Sequence, residues 1–286
     1  MTGPRLSIYQ RLCVALLVLV LAAAAKKLLA AEDILRVCQD PNNLPFSNEK
    51  GEGFENRIAE LFAKQLGWKL EYFSFPQRMG FIRNTLRFKL PGEEYRCDLV
   101  MGVPSGYEQV ASTRPYYRSA YALVFAPGGK LDGVRSAEDF LALGADKLNA
   151  LRIGVYDRSP ASEWLVKHNL LNQAVPYRIL NADPDHNAGE IIEKDLAGGD
   201  LDAAIVWGPI AGFFARRVAD KKLSVVPLSS ESGVRLDFEI AMGVRFGEPE
   251  WKASVERLIS ENQTGIEQIL RGYGVPLLDG QGKVKP

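Results

Sequence analysis

The stretch from Ile34 to Tyr72 constrains this chain more than any other, because it reads as a complete strand–loop–helix–strand unit. Ile34, Leu35 and Val37 form a short apolar run ending at Asp40, the size of a buried strand. Pro41, Asn42, Asn43, Pro45 and Gly51 interrupt any regular structure. Phe54, Ile58, Leu61, Phe62 and Leu66 then recur at the spacing of one helical face. Gly67 suits the left-handed position that ends such a helix. Trp68, Leu70 and Tyr72 alternate with Lys69 and Glu71, which is strand period. A helical crossover between two parallel strands puts the loop at the carboxyl end of the first strand. Open α/β sheets bind their ligands there.

The chain has 286 residues, room for a full core and more than one domain. With 47% apolar and 24% charged residues it is an ordinary globular composition, and its zero formal charge argues against broad phosphate neutralisation on nucleic acid. Residues 1–31 read as a signal peptide. Arg5 and Arg11 precede an apolar run from Leu12 to Ala25, short for a membrane span, and Ala25, Ala30 and Ala31 are candidate cleavage points. An uncleaved N-terminal anchor is the rival reading. Without that segment 31 basic and 35 acidic residues remain, net −4. The expected product is a soluble, exported monomer with no stable membrane insertion. Its two remaining cysteines, Cys38 and Cys97, meet an oxidising compartment.

The rest of the chain repeats the plan. Short helix residues around Met79, Ile82 and Leu86 lead to a strand at Asp98–Gly102, and Tyr116–Phe125 is aromatic and β-branched enough for a long strand. After Pro127-Gly-Gly129, strands are expected at Leu151–Tyr156, Tyr177–Leu180, Ala203–Trp207 and Val225–Leu228. Helices start at Ser159-Pro160, run through Ile191, Ile192 and Leu196, and span Pro209–Arg217. Phe238–Val244 reads as a returning strand, followed by two helices through Trp251–Ile259 and Ile266–Tyr273. The expected organisation is two α/β lobes joined by two hinge strands with a cleft between them. Residues 32–125 and 231–286 form the first lobe and 126–230 the second.

This order resembles the type II periplasmic solute-binding fold. The motifs LRVCQDPNNLPFSN, GEGFENRIAE, PQRMGFIRNTL, RCDLVMGVPSGYE, TRPYYRSAY and RIGVYDRSPASEW resemble the MxaJ/XoxJ group, described as quinoprotein-dehydrogenase-associated and binding-protein-like. The loop Phe88–Arg96 is longer than that group's usual link. The resemblance implies a non-catalytic accessory protein that associates with a PQQ-dependent methanol or alcohol dehydrogenase, with its cytochrome c a further candidate partner. Maturation, assembly and activation are the candidate roles. PQQ and metal would belong to the dehydrogenase, so no cofactor is expected here. The alternative is the receptor of an ABC-type transporter for a small polar solute.

Amino-acid receptors of this fold carry an arginine after the third strand and an aspartate at a strand end of the second lobe. Gly106 and Trp207 stand at those places, so a free α-amino acid would enter with both charges unpaired. Trp207 either fills part of the cleft or packs between lobes. Asp40, Asn42 and Asn43 are cleft candidates on the first loop. Asp157, Arg158 and Ser159 precede a helix N-terminus, which favours an anion or merely caps the helix. His186 beside Asp183 and Asp185 suggests a metal or acid–base pair, although Asn, Asp and Pro make ordinary turns. Arg114, Tyr116, Tyr117, Arg118 and Tyr121 are residue types enriched at protein interfaces and are the candidate partner surface, or else a buried hinge strand. Finally, strand register puts Cys97 about 10 Å from Cys38's level, beyond disulfide reach, so an unbridged pair is expected.

Overall fold

The computed structural model describes residues 33–77, 79–178 and 187–286. The readings of a signal segment at 1–31, of Arg78, and of His186 with Asp183 and Asp185 lie outside the described residues.

The first unit forms as its pattern dictates. β1 (Ile34–Gln39) lies parallel between β4 (Lys69–Ser74) and β5 (Leu99–Pro104), with Val37 opposite Tyr72 and Cys38 opposite Val100. Helix α1 (Phe54–Leu66) crosses between β1 and β4, burying Phe54, Ile58 and Phe62. Gly67 closes it at φ 69°, its N–H bonded to the last-turn carbonyls. The two-residue strands β2 (Asn42–Asn43) and β3 (Ser47–Asn48) fold the loop back onto the start of α1. A Cβ on Gly53 would lie 2.0 Å from the Phe46 carbonyl oxygen, so only glycine lets loop and helix approach this closely. Asn56, buried inside α1, donates to Gln39 Oε1 at 2.8 Å and accepts from the Gly53 N–H at 3.1 Å, tying helix, loop and strand end together.

After the short helix α2 (Phe81–Asn84), the chain reaches β6 (Ala111–Phe125), fifteen residues long. Its first part pairs antiparallel with β11 (Asp237–Val244), which sits between β5 and β6. Its last residues, Tyr121–Phe125, pair with β9 (Ala203–Trp207) on one edge and, from Ala122, with β10 (Ser224–Pro227) on the other. β7 (Ile153–Tyr156) and β8 (Ala174–Tyr177) continue outward in parallel from β9. One hydrogen-bonded path therefore runs through the whole molecule, because β6 belongs to both halves. The two halves are not separate sheets.

The cores follow the strand alternation. Leu35, Phe54, Ile58, Leu99, Tyr116 and Met242 form one core with the apolar faces of α7 (Pro249–Glu261) and α8 (Gln263–Gly272). In the other half Leu123, Phe125, Ile153 and Ile205 face one side, with Trp164 of α5 (Pro160–Lys167). Val124, Ala204 and Val206 face the other, against Phe214 of α6 (Gly208–Arg217) and against Ile191 and Ile192. Residues 191–196 form a π-helical turn. Two short helices, α3 (Ala137–Leu141), capped by Ser136, and α4 (Ala145–Asn149), occupy a stretch whose sequence suggests no element. β8 ends at Tyr177, where a strand was expected to begin.

The end of α8 also touches the second half. Tyr273 stacks on Phe213 with centroids 5.7 Å apart, and Arg216 donates to the Arg271 carbonyl at 3.0 Å. The backbones of Gly212 and Gly274 meet so closely that a Cβ on Gly212 would lie 1.8 Å from the Gly274 oxygen.

The cysteine expectation is corrected. Cys38 and Cys97 form a disulfide, with Cα atoms 5.3 Å apart. The strand register was as anticipated, since Cys38 lies opposite Val100. Strand rise, however, measures distance only inside a strand. Cys97 precedes Leu99, the first residue of β5, and the chain bends at Arg96 and brings its side chain back.

Candidate functional site

A cleft of about 930 Å³ opens between the two halves, beside the crossing strands. Four of the cleft candidates line it: Asp40, Asn42, Asn43 and Trp207. Asp40 follows the end of β1 and holds its loop in shape. Its Oδ1 accepts the Asn42 N–H at 2.8 Å, its Oδ2 accepts the Gln77 N–H, and Asn43 reaches Gln77 Oε1 at 2.8 Å. Trp207 ends β9 directly opposite Tyr121. With Phe238 these rings form a cluster with centroids 5.5 to 6.5 Å apart, on the wall where the halves join. Trp207 therefore both packs between the halves and faces the cleft.

Gly106, Asp157, Arg158 and Ser159 are not among the lining residues. Gly106 serves a turn at φ 79°. Ser159 is buried and caps α5: its Oγ accepts the Ser162 N–H at 3.4 Å and donates to the Tyr156 carbonyl at 2.7 Å. The next residue, Pro160, does reach the cleft.

The structure divides the candidate partner residues on β6 between the core, the cleft and the surface. Tyr116 and Tyr117 are 1% and 6% exposed, because β6 has the first core on one face and the cleft wall on the other. Tyr117 lines the cleft instead. Arg118 is committed to Asp237, with Nε donating to Oδ2 at 2.7 Å, and to the Gly280 carbonyl. Arg114 is exposed, and it is held on α7 through the Ser260 hydroxyl at 2.8 Å.

The cleft residue that the sequence did not single out is Glu55, in the first turn of α1. Its carboxyl lies against Gly102, where a Cβ would be 2.4 Å from Oε1. Protein encloses it on most sides, and it meets water only through the cleft. That burial, reinforced by the negative charge of Asp40, raises its pKa to about 8. Burial also lifts the Tyr117 phenol well above its usual value and the Tyr121 phenol to about 12, so both stay neutral. Among the described residues no cluster of histidine, cysteine or carboxylate groups has a metal-holding arrangement, and no helix is long and apolar enough to cross a membrane.

No family model matches the chain. Among characterised proteins it is 28% identical to the protein MoxJ of Paracoccus denitrificans, over 90% of this chain and 93% of that one. The crystal structure of MxaJ from Methlophaga aminisulfidivorans MPT has a TM-score of 0.68 at 24% identity, covering 85% of this chain and all of that one. The crystal structure of the periplasmic binding protein XoxJ from Methylobacterium extorquens AM1 has a TM-score of 0.68 at 37% identity, covering 86% of this chain and 99% of that one. The fold is thus that of the type II periplasmic binding proteins, and the chain belongs to the MxaJ/XoxJ family.

Proposed function

We propose that this chain is a periplasmic, non-catalytic accessory protein that associates with a PQQ-dependent methanol or alcohol dehydrogenase and aids its maturation, assembly or activation. The observation that carries the reading is the match to XoxJ across nearly the whole of that protein. The dehydrogenase holds PQQ and its metal. Residues 32–125 with 231–286, and residues 126–230, act as two lobes about β6, and contact between Phe213 and Tyr273 limits how far they part. The test is surface plasmon resonance between this chain and the PQQ dehydrogenase encoded beside it. Association at or below tens of micromolar is expected; none at low or moderate salt defeats the reading.

A second reading, a transporter's solute receptor, is favoured by one feature, the size of the open cleft. Such a solute would not be a free α-amino acid. Gly106 and Trp207 stand at the two recognition points, so the arginine and aspartate that amino-acid receptors of this fold use are missing from those places. Neighbouring genes for a permease and ATPase, rather than for a dehydrogenase and cytochrome c, would favour this reading.

A further inference from the structure

Among the described residues the cleft is lined by the carboxyl groups of Asp40, Glu55 and Glu190 and by the Arg178 guanidinium. The Glu55 carboxyl has no hydrogen bond or ion pair among the described residues. Asp40, by contrast, is occupied by backbone N–H groups. The rest of the wall is strongly aromatic and includes Phe46, Tyr117, Tyr121, Tyr156, Tyr177 and Trp207. The faces of such rings carry negative charge density, and neutral phenols keep them available to a cation. A ring on this wall already holds one: the Arg235 guanidinium lies 4.8 Å from the Phe238 centroid. The Tyr116 phenol, in a residue 1% exposed, is an electrostatic neighbour of the Glu55 carboxyl and of the Gly102 backbone.

We propose that the cleft binds a small organic cation of the alkylammonium class, with Glu55 as its counter-charge and the Tyr117, Tyr121, Tyr156 and Trp207 rings around its alkyl groups. An anion would meet the negative charge of Asp40 and the carboxyl of Glu55. A neutral apolar ligand would leave Glu55 unpaired. A cation resolves both, since it replaces lost hydration of the carboxylate and gains the ring faces. The site needs no ligand carboxylate, which fits the absence of a carboxylate-forking arginine at Gly106. The proposal does not depend on association with a dehydrogenase.

The carboxyl must ionise to pair with the cation. The groups facing it are Asp40 on the loop, Tyr72 on β4, and Tyr116 and Tyr117 on β6, and the three phenols are all raised and so neutral. Cation affinity therefore rises with pH up to about 8, by up to about tenfold per unit, and levels off above.

The test is calorimetry on the isolated chain near pH 8 with tetramethylammonium, choline and putrescine, and with 3,3-dimethylbutan-1-ol, the neutral isostere of choline. Saturable binding of at least one cation is expected, with choline at least about tenfold tighter than its isostere. Glu55→Gln should weaken the cation by about tenfold or more and flatten its pH dependence. Trp207→Leu, which leaves the carboxylate in place, supplies the second variant and should weaken choline more than the isostere. The proposal is overturned if no cation saturates by about 10 mM, if choline and its isostere bind alike, or if Glu55→Gln binds as the parent does.

Discussion

Glu55, on the cleft wall of the first half, and Glu231, beside α5 in the second, sit at opposite ends of the carboxyl range. Burial pushes each upward. At Glu231 that push is outweighed: Lys167 Nζ lies 2.8 Å from Oε2, and Trp164 Nε1 and His168 Nε2 lie 2.7 and 3.0 Å from Oε1, which brings the group to about 2. At Glu55 no donor answers, and burial with the Asp40 charge takes the group to about 8. The difference separates a carboxylate that completes the fold from one left incomplete at a site.

The largest loss of stability that could break this comparison is at Glu231. Glu231→Ala strands the Trp164 N–H and removes a partner from Lys167, whose ammonium keeps the Ser232 carbonyl, and should cost about 2 kcal/mol in urea unfolding at neutral pH. A loss within the noise would make the network decorative. Next, Glu55→Gln should stabilise the protein by about 2 kcal/mol above pH 8 and by nothing below pH 4.5, after allowance for cleft water. The two residues also predict opposite arms of the stability curve. Glu55 is raised from 4.5, so its native protonation helps at low pH, and that help is lost as pH rises from 4.5 through 8. Glu231 is lowered from 4.5, so its contribution is present above 4.5 and is lost as pH falls towards 2. Thermal melts across pH should show Glu55→Gln removing the alkaline decline and Glu231→Gln removing the acid one. The smallest effect is Asp40→Asn, which keeps an oxygen for the Asn42 N–H and removes a charge. It should lower the Glu55 pKa, read by NMR titration of a labelled glutamate.

What the sequence made legible was periodicity. The β1–α1–β4 unit, the Ser159-Pro160 cap and the return of β11 all rest on spacings within a few residues, and each formed where expected. What it concealed depends on residues far apart in the chain. Glu55 looks like part of a solvated helix face in FENRIAE, and only Gly102 and the rings of β6 enclose it. Tyr116 and Tyr117 look like anchors, and only the arrival of α7, α8 and the opposite half covers them. Cys97 was misplaced because a bend just before a strand leaves no mark in strand period. Glu231 lies in an unremarkable turn whose donors stand more than sixty residues earlier.

The position of β11 carries a consequence for the order in which the protein can become itself. Residues 237–244 fill the slot between β5 and β6, strands made more than a hundred residues before them. While the chain is being made, or is threading outward, β5 and the first part of β6 wait with bare backbone edges, able to pair with the wrong chain. The second half, residues 126–230, has every strand it needs except the tail of β6, and that tail is already present. The inserted half is therefore free to fold first, and the half that begins the sequence is the last to close.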